Sequence, residues 1–121
     1  MNDYKSNLKI QTLSPTQNYQ IIEFHGDLDK AGLDDNRAKI EKIIENFPLQ
    51  YLIFDLTNLN YINSEGIGFT MMIHSHLAKM GKTFIVVNAK PNVKDIFQVI
   101  GLFNMVQYYD SLAMALSKLS A

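Results

Sequence analysis

Residues 51–56 (YLIFDL) and 83–88 (TFIVVN) are nearly continuous apolar runs of strand length. A strand covered on one face alternates apolar and polar residues, whereas an uninterrupted run belongs to a strand covered on both faces, as in a parallel sheet with helices packed against it. Between the runs lies a segment of helix length, residues 64–80, that stops at Gly81, a residue type suited to ending a helix. A strand, helix and strand in that order cross over right-handed. This one unit commits the chain to an α/β architecture.

The flanking segments fit around it. Residues 8–13 (LKIQTL) and 19–26 (YQIIEFHG) are strand-like and are divided by SPTQN, a turn-rich cluster that predicts an antiparallel hairpin. Leu33, Ile40, Ile43, Ile44 and Phe47 form the apolar stripe of an amphipathic helix that ends at Pro48. Val93, Ile96, Phe97 and Ile100 share a face of a third helix, with Pro91 at its entrance and Gly101 at its exit. MVQYY reads as a short edge strand, and DSLAMALSKL as a last helix with Asp110 as N-cap and Leu112, Leu116 and Leu119 facing inward. The expected order is ββαβαβα(β)α. It describes a single α/β domain over residues 1–121, with a mixed central sheet of four to five strands and about four helices. The length and a hydrophobic fraction of 47% suffice for one core.

A net charge of −1 supplies no positive field for counterion release, so no nucleic-acid partner is expected. The absence of cysteine removes disulfides, thiolate catalysis and thiolate metal sites. MNDYKSNLKIQTL has no apolar core of signal-peptide length, and no run approaches the roughly 18 apolar residues of a membrane span. The expectation is a cytoplasmic protein without membrane insertion. His74 and His76 are two apart rather than at the i, i+4 spacing of a zinc helix, and His25 precedes Gly26 in a strand. No metal, cofactor or enzymatic activity is expected, since nucleophile-elbow, Walker and dinucleotide motifs are also missing. Asp27, Asp29, Asp55 and Lys90 resemble a receiver pocket in composition only. A receiver needs a further strand and helix between its acidic pair and its phosphorylated aspartate, and only one helix fits here. Asp55 reads as a strand-end residue bonding the following turn.

The stretch INSEGIG, residues 62–68, is the most unusual. Ser64 is a preferred N-cap type, and Glu65 suits the positive end of a helix dipole. Gly66 and Gly68 each cost roughly 0.5–1 kcal/mol in a helix relative to alanine. Either the helix start packs closely on the sheet, or something must approach its backbone. The run GIGFTMMI is apolar almost all round, which divides it between a core face and a partner-facing one, with Met71 and Met72 suited to adaptable contacts.

HGDLD, FDLTNLNYINSEGIG and PNVKDIFQVIGLFNMVQYYDS together resemble the STAS-domain anti-sigma-factor antagonists of bacteria over residues 19–116. NSEGIG is similar to the family's D-S-x-G-[LI]-G motif, and GLF follows at the expected distance. The resemblance implies that Ser64 accepts phosphate from a partner that is both anti-sigma factor and serine kinase, and that a PP2C-type phosphatase removes it. The unphosphorylated form would bind the anti-sigma factor and free a sigma factor. It also implies that GDLDKAG and the helix start lie side by side as a partner-binding surface, with Asp27, Asp29, Asn63, Ser64, Glu65, Gly66, Ile67, Gly68 and Phe69 as its residues. Asn63 stands where the family commonly has Asp, keeping size and hydrogen bonding while removing a charge. The competing expectation is a STAS-fold structural or regulatory subunit of a larger assembly, such as a lipid-transport complex or signalling scaffold, in which Ser64 serves only as a cap.

Overall fold

A computed structural model describes residues 7–13 and 18–119. The chain runs β1 (Lys9–Thr12), β2 (Tyr19–Leu28), α1 (Lys30–Glu45), β3 (Tyr51–Ile62), α2 (Ser64–Lys79), β4 (Thr83–Val87), α3 (Pro91–Val99), a 3-10 turn (Leu102–Asn104), β5 (Gln107–Tyr109) and α4 (Leu112–Ser117). The five-stranded sheet has the order β1-β2-β3-β4-β5, antiparallel between β1 and β2 and parallel thereafter. The mixed sheet and four helices follow the expected order. Residues 14–17, most of the expected hairpin turn, lie outside the described residues, as do residues 1–6 of the segment assessed for a signal peptide.

Right-handed crossovers between neighbouring parallel strands place the connecting helices on one face of the sheet. That face carries Ile22, Phe24, Leu52, Phe54, Phe84 and Val86, packed with Ile40, Ile44, Ile73, Leu77, Val93 and Phe97 from the three helices. Phe24, Phe54 and Phe84 form a ladder across three strands, with ring centroids 4.6 and 4.7 Å apart. Each such aromatic pair adds about 0.5–1.5 kcal/mol beyond its buried area. On the opposite face Ile21, Ile53, Ile85 and Val87 are covered by Ala115, Leu112 and Leu116 of α4 and by Leu119. β3 and β4 are thus buried on both faces, the physical reason for their unbroken apolar runs.

Several boundaries differ from expectation. α1 starts at Lys30, one turn earlier than its apolar stripe, because Asp29 caps it. Ser111 rather than Asp110 caps α4, its hydroxyl accepting from the Met114 N–H at 3.0 Å. Asp110 instead accepts from Lys94 Nζ of α3 at 2.8 Å. Ile100 is 46% exposed because α3 ends at Val99, and Gly101 then turns the chain away with φ +76°. Leu102 is buried and Phe103 stacks on Tyr108, so GLF terminates the helix and returns to the core.

The largest difference is β3, which runs on to Ile62. Asp55 pairs with Glu23 but Asn58 with His25, and Leu59 with Gly26 but Tyr61 with Asp27. Each step inserts one extra residue into β3, a bulge that bends the strand and changes the face its side chains take. Asp55 lies at the first bulge, inside the strand, where its carboxylate accepts from the Thr57 N–H at 3.0 Å and hydroxyl at 2.6 Å. Its predicted bond to the following residues is present, though no turn begins there.

Candidate functional site

β2 and β3 end side by side at the paired residues Leu28 and Ile62, and each passes into a helix by the same device. After Leu28, Asp29 is extended and its Oδ1 accepts from Gly32 N at 2.9 Å. After Ile62, Asn63 is extended with φ −110° and ψ −174°, and its Oδ1 accepts from Gly66 N at 3.1 Å. LDKAGL and INSEGI are two versions of one helix start. The cap of α2 is therefore Asn63, not Ser64. Both residue types cap well, and the strand's continuation to Ile62 brings Asn63 to the turning point.

Ser64 consequently becomes the first residue inside α2, exposed to solvent, with Glu65 exposed beside it. The two glycines have different causes. A Cβ on Gly66 would lie 2.4 Å from the Leu28 carbonyl oxygen and 2.8 Å from Ile62 Cγ1, so only glycine lets the helix start rest on the end of β2. The Asn63 N–H donates to that same Leu28 carbonyl at 3.2 Å. A Cβ on Gly68 would have nothing within 4 Å, and this residue leaves an open helix face.

The structure brings the two predicted segments together at one edge and sorts their residues. Ser64, Glu65 and Gly68 are exposed; Asp27, Asp29, Asn63 and Ile67 are half-buried; Gly66 and Phe69 are buried. Asp27 is tied to Asn7, accepting from its Nδ2 at 2.9 Å while Asp27 N donates to Asn7 Oδ1 at 3.0 Å. Asp29 is engaged as the α1 cap. Phe69, only 3% exposed, lies in the core beneath the Arg37 guanidinium, 4.9 Å from its ring centroid. Any surface it contributes to is presented by Arg37. Arg37 and Lys30, both on α1, were not singled out from sequence, because their position beside α2 follows only from helix packing.

α2 divides as its composition suggested. Phe69, Thr70, Ile73 and Leu77 are buried, while Ser64, Glu65, Gly68, Met71, Ser75, Ala78 and Lys79 are exposed. Between Glu65 and Lys79 this outer face carries no charge. Met72 instead lines a groove against α1 with His76, whose Nε2 lies 3.0 Å from the Ile44 carbonyl oxygen. His76 thus has a structural contact at the end of α1. Among the described residues no three His, Asp or Glu side chains are arranged to hold a metal ion, and no helix is long and apolar enough to cross a membrane.

Residues 11–115 match the family model described as the STAS domain. The chain is similar to an anti-sigma F factor antagonist of Paenibacillus polymyxa, with 25% identity over 99 residues, covering 82% of this chain and 85% of that protein. Its fold matches an anti-sigma factor antagonist from Mycobacterium paratuberculosis with a TM-score of 0.78 and 22% identity, over 90% of this chain and 92% of that one. It also matches the phosphorylated form of the Bacillus cell fate determinant SpoIIAA, with a TM-score of 0.72 and 22% identity over 93% of this chain and 100% of that one. The match to the STAS model begins within β1, takes in β2 to β5 and runs into α4, and the chain belongs to the STAS domain family.

Proposed function

We propose that this protein is an anti-sigma-factor antagonist switched by phosphorylation of Ser64. Unphosphorylated, it binds an anti-sigma factor that is also a serine kinase, and a sigma factor is released. Phosphorylation ends that binding, and a PP2C-type phosphatase restores it in the cytoplasm. The observation that carries this reading is the placement of Ser64 at an exposed first helical position, while Asn63 performs the capping. The serine hydroxyl is therefore not needed by the fold and is accessible to a kinase. The names of the relatives support the same reading.

The physical basis is local. A phosphate adds about −1.5 to −2 charge, and the positive end of a helix dipole tolerates it without unfolding. Docking suffers instead, because burying that charge against a partner without a matching cation costs several kcal/mol, and about 1.4 kcal/mol already changes affinity tenfold. Asn63 fits this scheme: asparagine caps as well as aspartate does, so the family's cap is kept and one negative charge is removed beside the phosphate.

Incubation with the candidate kinase and ATP, followed by phosphosite mass spectrometry, should place phosphate on Ser64. In pull-downs Ser64→Ala should retain the kinase-type partner and Ser64→Glu should lose it. Equal retention of both variants and wild type would refute a switch at this residue. Stable co-purification with subunits of a larger assembly, with Ser64 unmodified, would identify the protein as a structural subunit instead.

A further inference from the structure

We propose that Lys30 is the internal counter-ion for a phosphate on Ser64, exchanging its present partner Asp34 for that phosphate. The inference rests on the phosphoserine reading above and adds a residue to it. Leu28 pairs with Ile62 and the Asn63 N–H donates to the Leu28 carbonyl, so α1 and α2 begin from adjacent strand ends. Lys30 and Ser64 are the first residues of those neighbouring helices. Packed helix axes lie about 8–10 Å apart, a gap that a lysine arm and a phosphorylated serine bridge together.

At present Lys30 Nζ lies 2.9 Å from Asp34 Oδ2, in a pair whose side chains are 70% and 61% exposed. Such an exposed pair is weakly held. The charges around Lys30 already reach across the gap. Its ammonium sits above the usual lysine range through the hydrogen bond and charge of Asp34, against the opposing effect of burial, with the charge of Glu65 adding from α2. Glu65 is the immediate neighbour of Ser64. A phosphate at Ser64 would bring a higher charge and three strong acceptor oxygens to the same region, and charge-assisted bonds of that kind are shorter and stronger than neutral ones. Asp27 and Asp29, the other acidic groups at this edge, are engaged by Asn7 and at the α1 cap respectively. Moving Lys30 onto the phosphate leaves Asp34 unpaired, so modification of α2 also changes the charge pattern of α1. A partner spanning both helices meets two altered positions rather than one.

The test installs phosphoserine at position 64 during synthesis, so that no kinase is required, and follows the phosphorus NMR shift against pH. A nearby cation favours the dianion, so Lys30 should hold the second phosphate pKa, ordinarily about 6, below its value in Lys30→Gln by about 0.3 unit or more. The difference should shrink in roughly 1 M salt. Lys39→Gln, on an exposed position further along α1, should behave as wild type. A Lys30→Gln curve within about 0.1 unit of wild type, or a Lys39→Gln shift as large as that of Lys30→Gln, would overturn the proposal. Because the phosphate is installed directly, either result leaves the kinase question to its own experiment.

Discussion

Gly68 is an exposed helical residue, and nothing lies within 4 Å of the place where a Cβ would sit. Alanine there meets no neighbour and recovers the backbone entropy that glycine forfeits in a helix, so Gly68→Ala should stabilise the domain by about 0.5–1 kcal/mol. For a domain of this size that raises the melting temperature by roughly 2–4 °C. The same change at Gly66 should act oppositely. Its Cβ would lie 2.4 Å from the Leu28 carbonyl oxygen and 2.9 Å from Leu28 Cγ, and Leu28 is held in the β2–β3 ladder. Overpacking of this kind costs about 1–3 kcal/mol. Thermal melts and urea titrations with unchanged m-values would report both effects. Titration with the kinase-type partner then asks why a stabilising alanine is absent. If Gly68 admits that partner to the helix backbone, Gly68→Ala should bind it about tenfold more weakly, a loss near 1.4 kcal/mol, while melting higher. A lower melting temperature for Gly68→Ala would refute the conformational reasoning. A higher one with full partner affinity would refute the idea that the open face serves docking.

Asn63→Ala should lose about 0.5–2 kcal/mol as the α2 cap disappears, whereas Ser64→Ala should stay within about 0.5 kcal/mol of wild type. Comparable losses in urea unfolding would return the capping role to Ser64. The Asp110 carboxyl lies below its usual range, chiefly because Lys94 hydrogen-bonds it. A depressed folded value means that the pair contributes stability above the unfolded carboxylate value of about 3.9 and loses it as pH falls through the lower, folded value. Asp110→Asn should therefore flatten the acid limb of urea midpoints measured from about pH 2 to 6. An acid limb as steep as that of wild type would contradict the assignment.

The fold was legible because β3 and β4 announce their two-sided burial in unbroken apolar runs, and glycine or proline marks most helix ends. The extension of β3 was not. Thr57, Asn58 and Asn60 carry turn-forming chemistry, and the two bulges interrupt the alternation that would otherwise reveal a strand. That hidden extension is why the sequence points to Ser64 as the cap, although its neighbour Asn63, of similar capping strength, holds that position. Phe69 shows a different kind of miss. It was grouped with the surface by its contiguity with the motif, yet the spacing of Phe69, Ile73 and Leu77 places it on the buried stripe. The spacing was available in the sequence. Lys30 and Arg37 are another matter, since nothing local to α1 tells which helix will lie beside it.

Sheet order repeats chain order in this domain, with each strand hydrogen-bonded to the strand made just before it. Assembly can then proceed vectorially: every new strand finds its edge already formed, and long loop closures, which slow folding, are avoided. The far face is the exception. Ile21, Ile53, Ile85 and Val87 come from three successive strands but share a cover, α4, that follows all of them in the chain. A chain made from its N-terminus therefore completes β2, β3 and β4 before it has Ala115 and its neighbours to lay over them. Completing the cover of that face thus depends on a helix of six residues at the opposite face of the sheet from the one that carries α2.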